Sequence, residues 1–281
     1  MWHKNTAQIF IPDRVPDQEA LQRTTHIAVA AHQDDIEIMA VDGILACFQQ
    51  ADRWFTGVVM TNGAGSPRDS LYKDYTDVEM QLVRAKEQFK AAYIGEYSAQ
   101  VLLDYTSAEV KDSLNKAPVE DLARLFEATG PEYVYTHNLA DKHPTHVAVA
   151  MRTIQALRLL PDDLKPERVY GCEVWRSLEW MLDQDKVVFD TSSHENLQNS
   201  LVGVFDSQVA GGKRYDLATM GRRRANATYF ASHNVDISTG MAFAMDLTPL
   251  VFDKDMDVIQ YIQSFIDRFT GDVRKLIVSV E

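Results

Sequence analysis

The sequence predicts an α/β fold, a mostly parallel, Rossmann-like sheet flanked by helices. Three observations predict it. Short runs rich in β-branched residues alternate with amphipathic stretches at helical spacing, without a break, to about residue 175. Polar or glycine-containing loops follow these runs, as at Asn62-Gly63-Ala64-Gly65-Ser66-Pro67-Arg68. The chain has 281 residues, 46% hydrophobic and 25% charged, which is enough for one large α/β domain with a sizeable core.

In order, residues 1–24 read as an irregular arm with Pro12 and Pro16 and one helical turn near Gln18 to Gln22. Ile27 to Ala31 is short and apolar, the pattern of a buried strand. Ile36, Met39, Ala40, Ile44 and Leu45 follow at helical spacing. Trp54 to Thr61 is a second strand and Asp77 to Tyr93 a long helix stopped by Gly95. Ala99 to Leu103 is a third strand. Pro118 to Ala128 is a helix with proline at its start and Gly130 beyond its end. Tyr133 to Thr136 is a fourth strand, and Pro144 to Leu160 the next helix. Beyond residue 175 the alternation loosens. Arg168 to Val174, Lys186 to Phe189 and Ile237 to Ala244 read as strands, and 193–209, 216–231 and 255–269 as helices. No low-complexity linker or repeat separates this half. The expectation is a single domain over 1–281, with residues 175–281 covering one side of the site.

A formal net charge of −13 argues against a general nucleic-acid binder, which needs a basic surface. No apolar run is long enough to span a bilayer, and the first residues lack the apolar core of a signal peptide. Cys47 and Cys172 lie inside apolar patterns and read as small buried hydrophobes of a reducing compartment. The simplest address is the cytoplasm. Oligomeric state is left open, a homo-oligomer included.

The chemistry concentrates in two stretches. His32, Asp34 and Asp35 fall between the first strand and its helix, at the sheet edge where open α/β sheets bind ligands. A polar turn with an aspartate N-cap would account for the same residues. His137, Asp141, His143 and His146 follow the fourth strand, with Pro144 suited to a first helical turn. Together the stretches offer His32, Asp35 and one of the later histidines. Two imidazoles and one carboxylate with an open position form the donor set of a catalytic zinc site, and equally of non-haem Fe²⁺. Asp34 is then free to take a proton from water, and the other histidine to stabilise an oxyanion or protonate a leaving amine.

The pairing of Ala-His32-Gln-Asp34-Asp35-Ile-Glu37 with His143-Pro-Thr-His146 resembles the PIG-L (LmbE-like) family of zinc de-N-acetylases, which typically carries Pro-His-Pro-Asp-Asp and His-Pro-Asp-His. The resemblance extends through Asn62-Gly63, Arg68, Arg84-x-x-Glu87, Leu103-Asp104 and Phe205-Asp206-Ser207-Gln208, covering most of 25–245. It implies Zn²⁺ on His32, Asp35 and His146, Asp34 as general base, and His143 on the oxyanion or the departing amine. It implies substrate contacts at Arg68 and Asp104, and a small N-acetylated sugar or glycoconjugate as substrate. Two positions depart from the pattern. Gln33 replaces a proline, and Thr145 replaces an aspartate that supports the histidine pair, a role open to Asp141.

Other residues carry weaker expectations. Glu37 reads as lying behind the metal ligands, and Arg84 with Glu87 as a structural pair. Arg222 to Arg224 form a solvated face or greet an anion. Tyr170, Trp175 and Trp180 line a sugar site or fill the core. Two rival functions follow from the same residues: a non-haem Fe²⁺ enzyme, whose usual β-barrel does not match the strand–helix alternation, and a non-catalytic Rossmann-type sugar or nucleotide module. The second lacks the expected Gly-x-Gly-x-x-Gly after the first strand.

Overall fold

The computed structural model describes residues 2–281. The arm is more ordered than its prolines suggest. It contains a strand β1 (Gln8–Phe10) and a helix α1 (Asp17–Gln22). β1 pairs antiparallel with a later strand that would otherwise be an exposed edge, and Phe10 stacks on Phe89 at 4.9 Å.

The first apolar run becomes β2 (His26–Ala30), buried at every residue. The helix expected after it is two pieces, α2 (Asp35–Met39) and α3 (Val41–Cys47), broken at Ala40. The break has a partner in the C-terminal half. Arg223 Nη2 donates to the carbonyls of Glu37 (2.8 Å) and Ile38 (3.2 Å), which a continuous helix would have used internally.

Then come β3 (Phe55–Thr61), α4 (Asp77–Ile94) and β4 (Ala99–Tyr105). α5 (Ser107–Lys111) and α6 (Ala117–Thr129) precede β5 (Tyr133–His137) and α7 (Pro144–Leu159). Thr76 with Glu79 caps α4 reciprocally, and Thr106 with Glu109 does the same for α5. α7 starts as predicted, with His143 as N-cap and Pro144 in the first turn.

After β6 (Arg168–Cys172) and β7 (Val187–Asp190), the helix expected over 193–209 is α8 (Glu195–Gly203) and α9 (Asp206–Val209). The chain leaves helical geometry at buried Phe205, which lets Ser207 donate both its N–H and its hydroxyl to Glu87, each at 2.7 Å. α10 (Tyr215–Tyr229), β8 (Met241–Asp246), α11 (Thr248–Phe252) and α12 (Val258–Val278) complete the chain. The last strand thus starts four residues later than its apolar pattern suggests. The last helix runs nine residues beyond the expected Phe269.

One eight-stranded sheet runs through both halves in the order β1-β4-β3-β2-β5-β6-β8-β7. β4, β3, β2, β5 and β6 are parallel; β1, β8 and β7 are antiparallel additions at the two sides. From β2 the chain first winds out to β3 and β4, then returns to place β5 on the other flank of β2. The crevice beyond the carboxyl ends of β2 and β5 is therefore the topological switch point, where such sheets bind ligands. Both histidine-bearing stretches open into it. Among the described residues no helix is long and apolar enough to cross a membrane.

Candidate metal centre and catalytic pocket

The turn after β2 decides which way each carboxylate points. Asp34 sits in the left-handed region at φ 84°, ψ −29°, a conformation that aspartate tolerates better than most residues. Asp34 and Asp35 consequently face different partners. Asp35 Oδ2 accepts the backbone N–H of His32 at 2.8 Å and lies 3.1 Å from His32 Nδ1 and 3.2 Å from His146 Nε2. His32 Nδ1 and His146 Nε2 are themselves 3.2 Å apart. Three donor atoms from two strand ends thus make a near-equilateral triangle. Tetrahedral zinc ligands at about 2.0–2.1 Å lie about 3.3–3.4 Å from one another, so the triangle fits a divalent ion with little adjustment.

The local electrostatics favour a cation at the same place. Burial works against a charged ring at His146, but Asp35 and Asp141 outweigh it and push His146 up to about 9. Burial would raise Asp35, yet His146 and His32 hold it well below the usual carboxylate range. Asp141 lies behind the triangle. Its Oδ2 is 3.6 Å from His146 Nδ1 and accepts the Trp175 N–H at 3.1 Å, while Oδ1 accepts the His143 N–H at 2.9 Å. The carboxylate that Thr145 does not supply therefore comes from Asp141, but its side-chain partner is His146; toward His143 it holds only the backbone.

His137, the first of the histidines after the fourth strand, is fully buried. Its ring stacks on His146 at 3.9 Å and its Nε2 accepts the Ala31 N–H at 2.8 Å. That bond uses the Nε2 lone pair and ties β5 to the end of β2. His143 meets His32 edge-on at 5.0 Å and lies 4.6 Å from His146, centroid to centroid. Burial, reinforced by His146 and His32, lowers its pKa to about 4, so it is neutral near pH 7.

Asp34 faces Arg84, whose Nη2 donates to Asp34 Oδ2 at 3.0 Å and also to the Gln33 carbonyl. Arg84 Nη1 reaches Glu87 Oε2 at 3.4 Å. The pair read as structural is thus a buried bridge from α4 to the catalytic turn. Burial raises Asp34 against the pull of Arg84, and Asp35 adds to the rise, giving about 7. Gln88 Oε1 accepts the Asp34 N–H at 3.2 Å while its Nε2 donates to Glu37 at 2.8 Å. Glu37, which also accepts from Tyr97 Oη, stands two hydrogen bonds behind Asp34, with Gln88 between them, and burial pushes it up to about 8.

A cavity of about 210 Å³ opens over these groups. His32, Asp34, Asp35 and His143 line it, with residues of the loop after β3 such as Asn62 and Gly63, and with Trp175, Gln208 and Tyr215 from the C-terminal half. Gly63 is required in that loop: its φ is +74°, and a Cβ there would lie 2.6 Å from Gln33 Oε1. Arg68 and Asp104 are not in the lining. Arg68 Nη2 pairs with Asp77 at 2.6 Å and with the Ala64 carbonyl at 2.9 Å, and so braces the loop from outside. Asp104 accepts from the Thr6 hydroxyl and borders a neighbouring cavity shared with Asn62. Of the aromatic residues considered from sequence, Trp175 reaches the pocket; Tyr170 packs on Phe189 and Trp180 on Phe269. Arg222 to Arg224 bond the Val174 carbonyl, Gln198 and Glu195, holding α10 to the body. Tyr215 is the site residue that sequence order hides, because it reaches the pocket from far along the chain.

Residues 27–157 match the family model PIG-L, described as GlcNAc-PI de-N-acetylase. No curated protein matches the chain at a significant level. Solved structures do. The chain is similar to GalB, the 4-carboxy-2-hydroxymuconate hydratase of Pseudomonas putida KT2440, at 17% identity and a TM-score of 0.62, over 79% of this chain and 95% of that one. It is similar to N,N′-diacetylchitobiose deacetylase of Pyrococcus horikoshii at 16% identity and 0.59, over 79% and 83%. The A40926 pseudoaglycone deacetylase Dbv21 gives 13% identity and 0.58, over 80% and 97%. Likeness at these identities is likeness of fold, which a hydratase and deacetylases here share; chemistry has to be argued from the site. The stretch that matches the PIG-L family model, residues 27–157, is the part of the chain that carries both motifs at the switch point.

Proposed function

We propose that this protein is a metal-dependent N-deacetylase that hydrolyses the acetamido group of an N-acetylated amino sugar or its conjugate, releasing acetate and a free amine. The observation that carries the reading is the triangle of His32 Nδ1, Asp35 Oδ2 and His146 Nε2, with a separate buried carboxylate, Asp34, facing the same cavity. The two-histidine, one-carboxylate set suits Zn²⁺, with Fe²⁺ as the other ion it accommodates. Such an ion supplies Lewis acidity, polarising the amide carbonyl and lowering the pKa of water to about 7.

The protein's own groups divide the remaining work. Asp34, with its pKa raised to about 7, accepts the proton of the attacking water and returns it to the departing amine nitrogen. Arg84 keeps one oxygen of that carboxylate engaged and so fixes the direction in which it accepts. His143, neutral near pH 7, donates an N–H to the developing oxyanion. That assigns it the first of the two roles its position suggests. Trp175 and Tyr215 offer aromatic faces to the C–H face of a sugar ring. Arg68 acts on substrate through the shape of the Gly63–Pro67 loop, and Asp104 through the neighbouring cavity that it borders together with Asn62.

The test is acetate and free-amine release from a panel of N-acetylated monosaccharides, disaccharides, thiol-linked glucosaminides and glycan ends, using protein loaded with Zn²⁺ or Fe²⁺. Equimolar acetate and amine from at least one class is expected. Metal-loaded protein that releases neither from any class would contradict the reading.

A further inference from the structure

α12 carries a second pattern, unrelated to the pocket. Ile259, Ile262, Ile266, Phe269, Val273 and Leu276 are spaced alternately three and four residues apart. That is a heptad seam, with β-branched Ile259, Ile266 and Val273 at one core position and Ile262, Phe269 and Leu276 at the other. Ile259 is 79% exposed, Val273 39% and Leu276 61%. The helix anchors itself on the body with a different face. Phe265 is buried, Tyr261 Oη bonds the Asp246 carbonyl at 2.6 Å, and Arg268 pairs with Asp185 at 2.7 Å. The body takes part of the stripe as well, since Ile262 packs against the core and Phe269 touches Trp180, and leaves Ile259, Ile266, Val273 and Leu276 facing solvent. Past Phe269, which touches Trp180, no side chain of α12 is buried.

We propose that α12 pairs in parallel with α12 of a second copy of this chain, forming a two-stranded coiled coil that makes the protein a homodimer. A period of seven, shorter than two full turns of a straight helix, is the spacing that keeps a stripe against another helix. Residues 258–281 carry Asp267, Asp272 and Glu281 against Arg268, Arg274 and Lys275. The segment is neutral within a chain of net charge −13, so two copies meet no net repulsion along it. A helix that lies on a membrane would instead set a basic polar face beside its apolar one.

The experiment is sedimentation equilibrium of the full chain across the micromolar range, beside Val273→Glu/Leu276→Glu and single-cysteine variants. Twice the chain mass is expected for the parent, and loss of the dimer for the double variant with its circular dichroism unchanged. Leu276→Cys should cross-link to itself on oxidation and Arg274→Cys, on the outer face, should not; Cys47 and Cys172 are buried and give no background. A parent that is monomeric throughout would overturn the proposal. So would a dimer indifferent to the glutamates, or a monomer whose α12 sediments with lipid vesicles.

Discussion

At the carboxyl ends of β2 and β5, charged side chains are buried; along α12, apolar side chains are exposed. Asp34, Asp35, Arg84 and Glu87 are each less than a tenth exposed, whereas Ile259 and Leu276 face solvent. Both arrangements cost free energy taken alone, and both become intelligible when their partners are counted. The buried charges have theirs inside the molecule: Arg84 between Asp34 and Glu87, His146 between Asp35 and Asp141. The triangle sets three donor atoms toward one another. Most of the apolar stripe, Ile259, Val273 and Leu276 above all, has no such cover among the described residues. Departures from the usual distribution therefore point inward in one region, to an ion and a substrate, and outward in the other, to a second protein surface.

The largest effect should come from neutralising the carboxylate that the triangle leaves free. Asp34→Asn keeps size and loses basicity, and turnover should fall roughly 10²–10⁴-fold, measured by acetate release at saturating substrate. An unchanged rate would remove Asp34 from the reaction. Next is the bridge behind it. Arg84→Met leaves Asp34 and Glu87 buried without a cation and should cost about 3–5 kcal/mol in denaturant unfolding, the usual result of breaking a buried pair from one side. A loss below ~1 kcal/mol would show that the bridge behaves like a surface pair.

A smaller effect comes from a buried titratable group remote from the pocket. Burial, reinforced by Arg53, lowers His26 to about 4, and its ring stacks on Tyr133 at 4.7 Å. In the folded chain His26 stays neutral down to about that pH, while in the unfolded chain it protonates below ~6.5. The unfolded state then binds more protons, so this contribution is full above pH 6.5 and is lost as pH falls toward 4. His26→Phe should make unfolding free energy less acid-sensitive over that window, by on the order of 1 kcal/mol per pH unit. Identical slopes for parent and variant would deny His26 this role. The smallest effect is expected at Arg68, whose guanidinium is already paired with Asp77. Arg68→Ala should raise KM modestly through the loop and leave metal content unchanged; a fall in kcat as large as that of Asp34→Asn would put Arg68 in the pocket.

Much of the inward-pointing region was legible in the sequence, because its residues are close along the chain. Ile27–Ala31 followed by His32-Gln-Asp-Asp, and Tyr133–His137 followed by His143-Pro-Thr-His146, are local patterns of strand, turn and helix start. The parts that escaped are contacts between distant segments. Arg84 meets Asp34 from 50 residues away, and Tyr215 enters the cavity from the loosely patterned half. Arg84-x-x-Glu87, two opposite charges on one face of a long helix, was the available signal; nothing local said that this face is buried. The same holds for the break at Ala40, whose cause is Arg223. α12 was cut short for another reason. Thr270-Gly271 resembles a helix stop, and glycine inside a helix costs ~1 kcal/mol. The seam at Val273 and Leu276 continues through it, and following the seven-residue period past Gly271 recovers the full element.

The central claim is that one of two adjacent aspartates holds a metal and the other does not. Metal content of Asp34→Asn and Asp35→Asn, each purified after equilibration with Zn²⁺ and measured by plasma mass spectrometry, tests it most directly. Asp34→Asn should retain one equivalent, since its oxygen faces Arg84 and not the triangle. Asp35→Asn should lose most of its metal, since Oδ2 is one of the three converging atoms. The converse pair, Asp34→Asn stripped of zinc and Asp35→Asn fully loaded, would contradict the account.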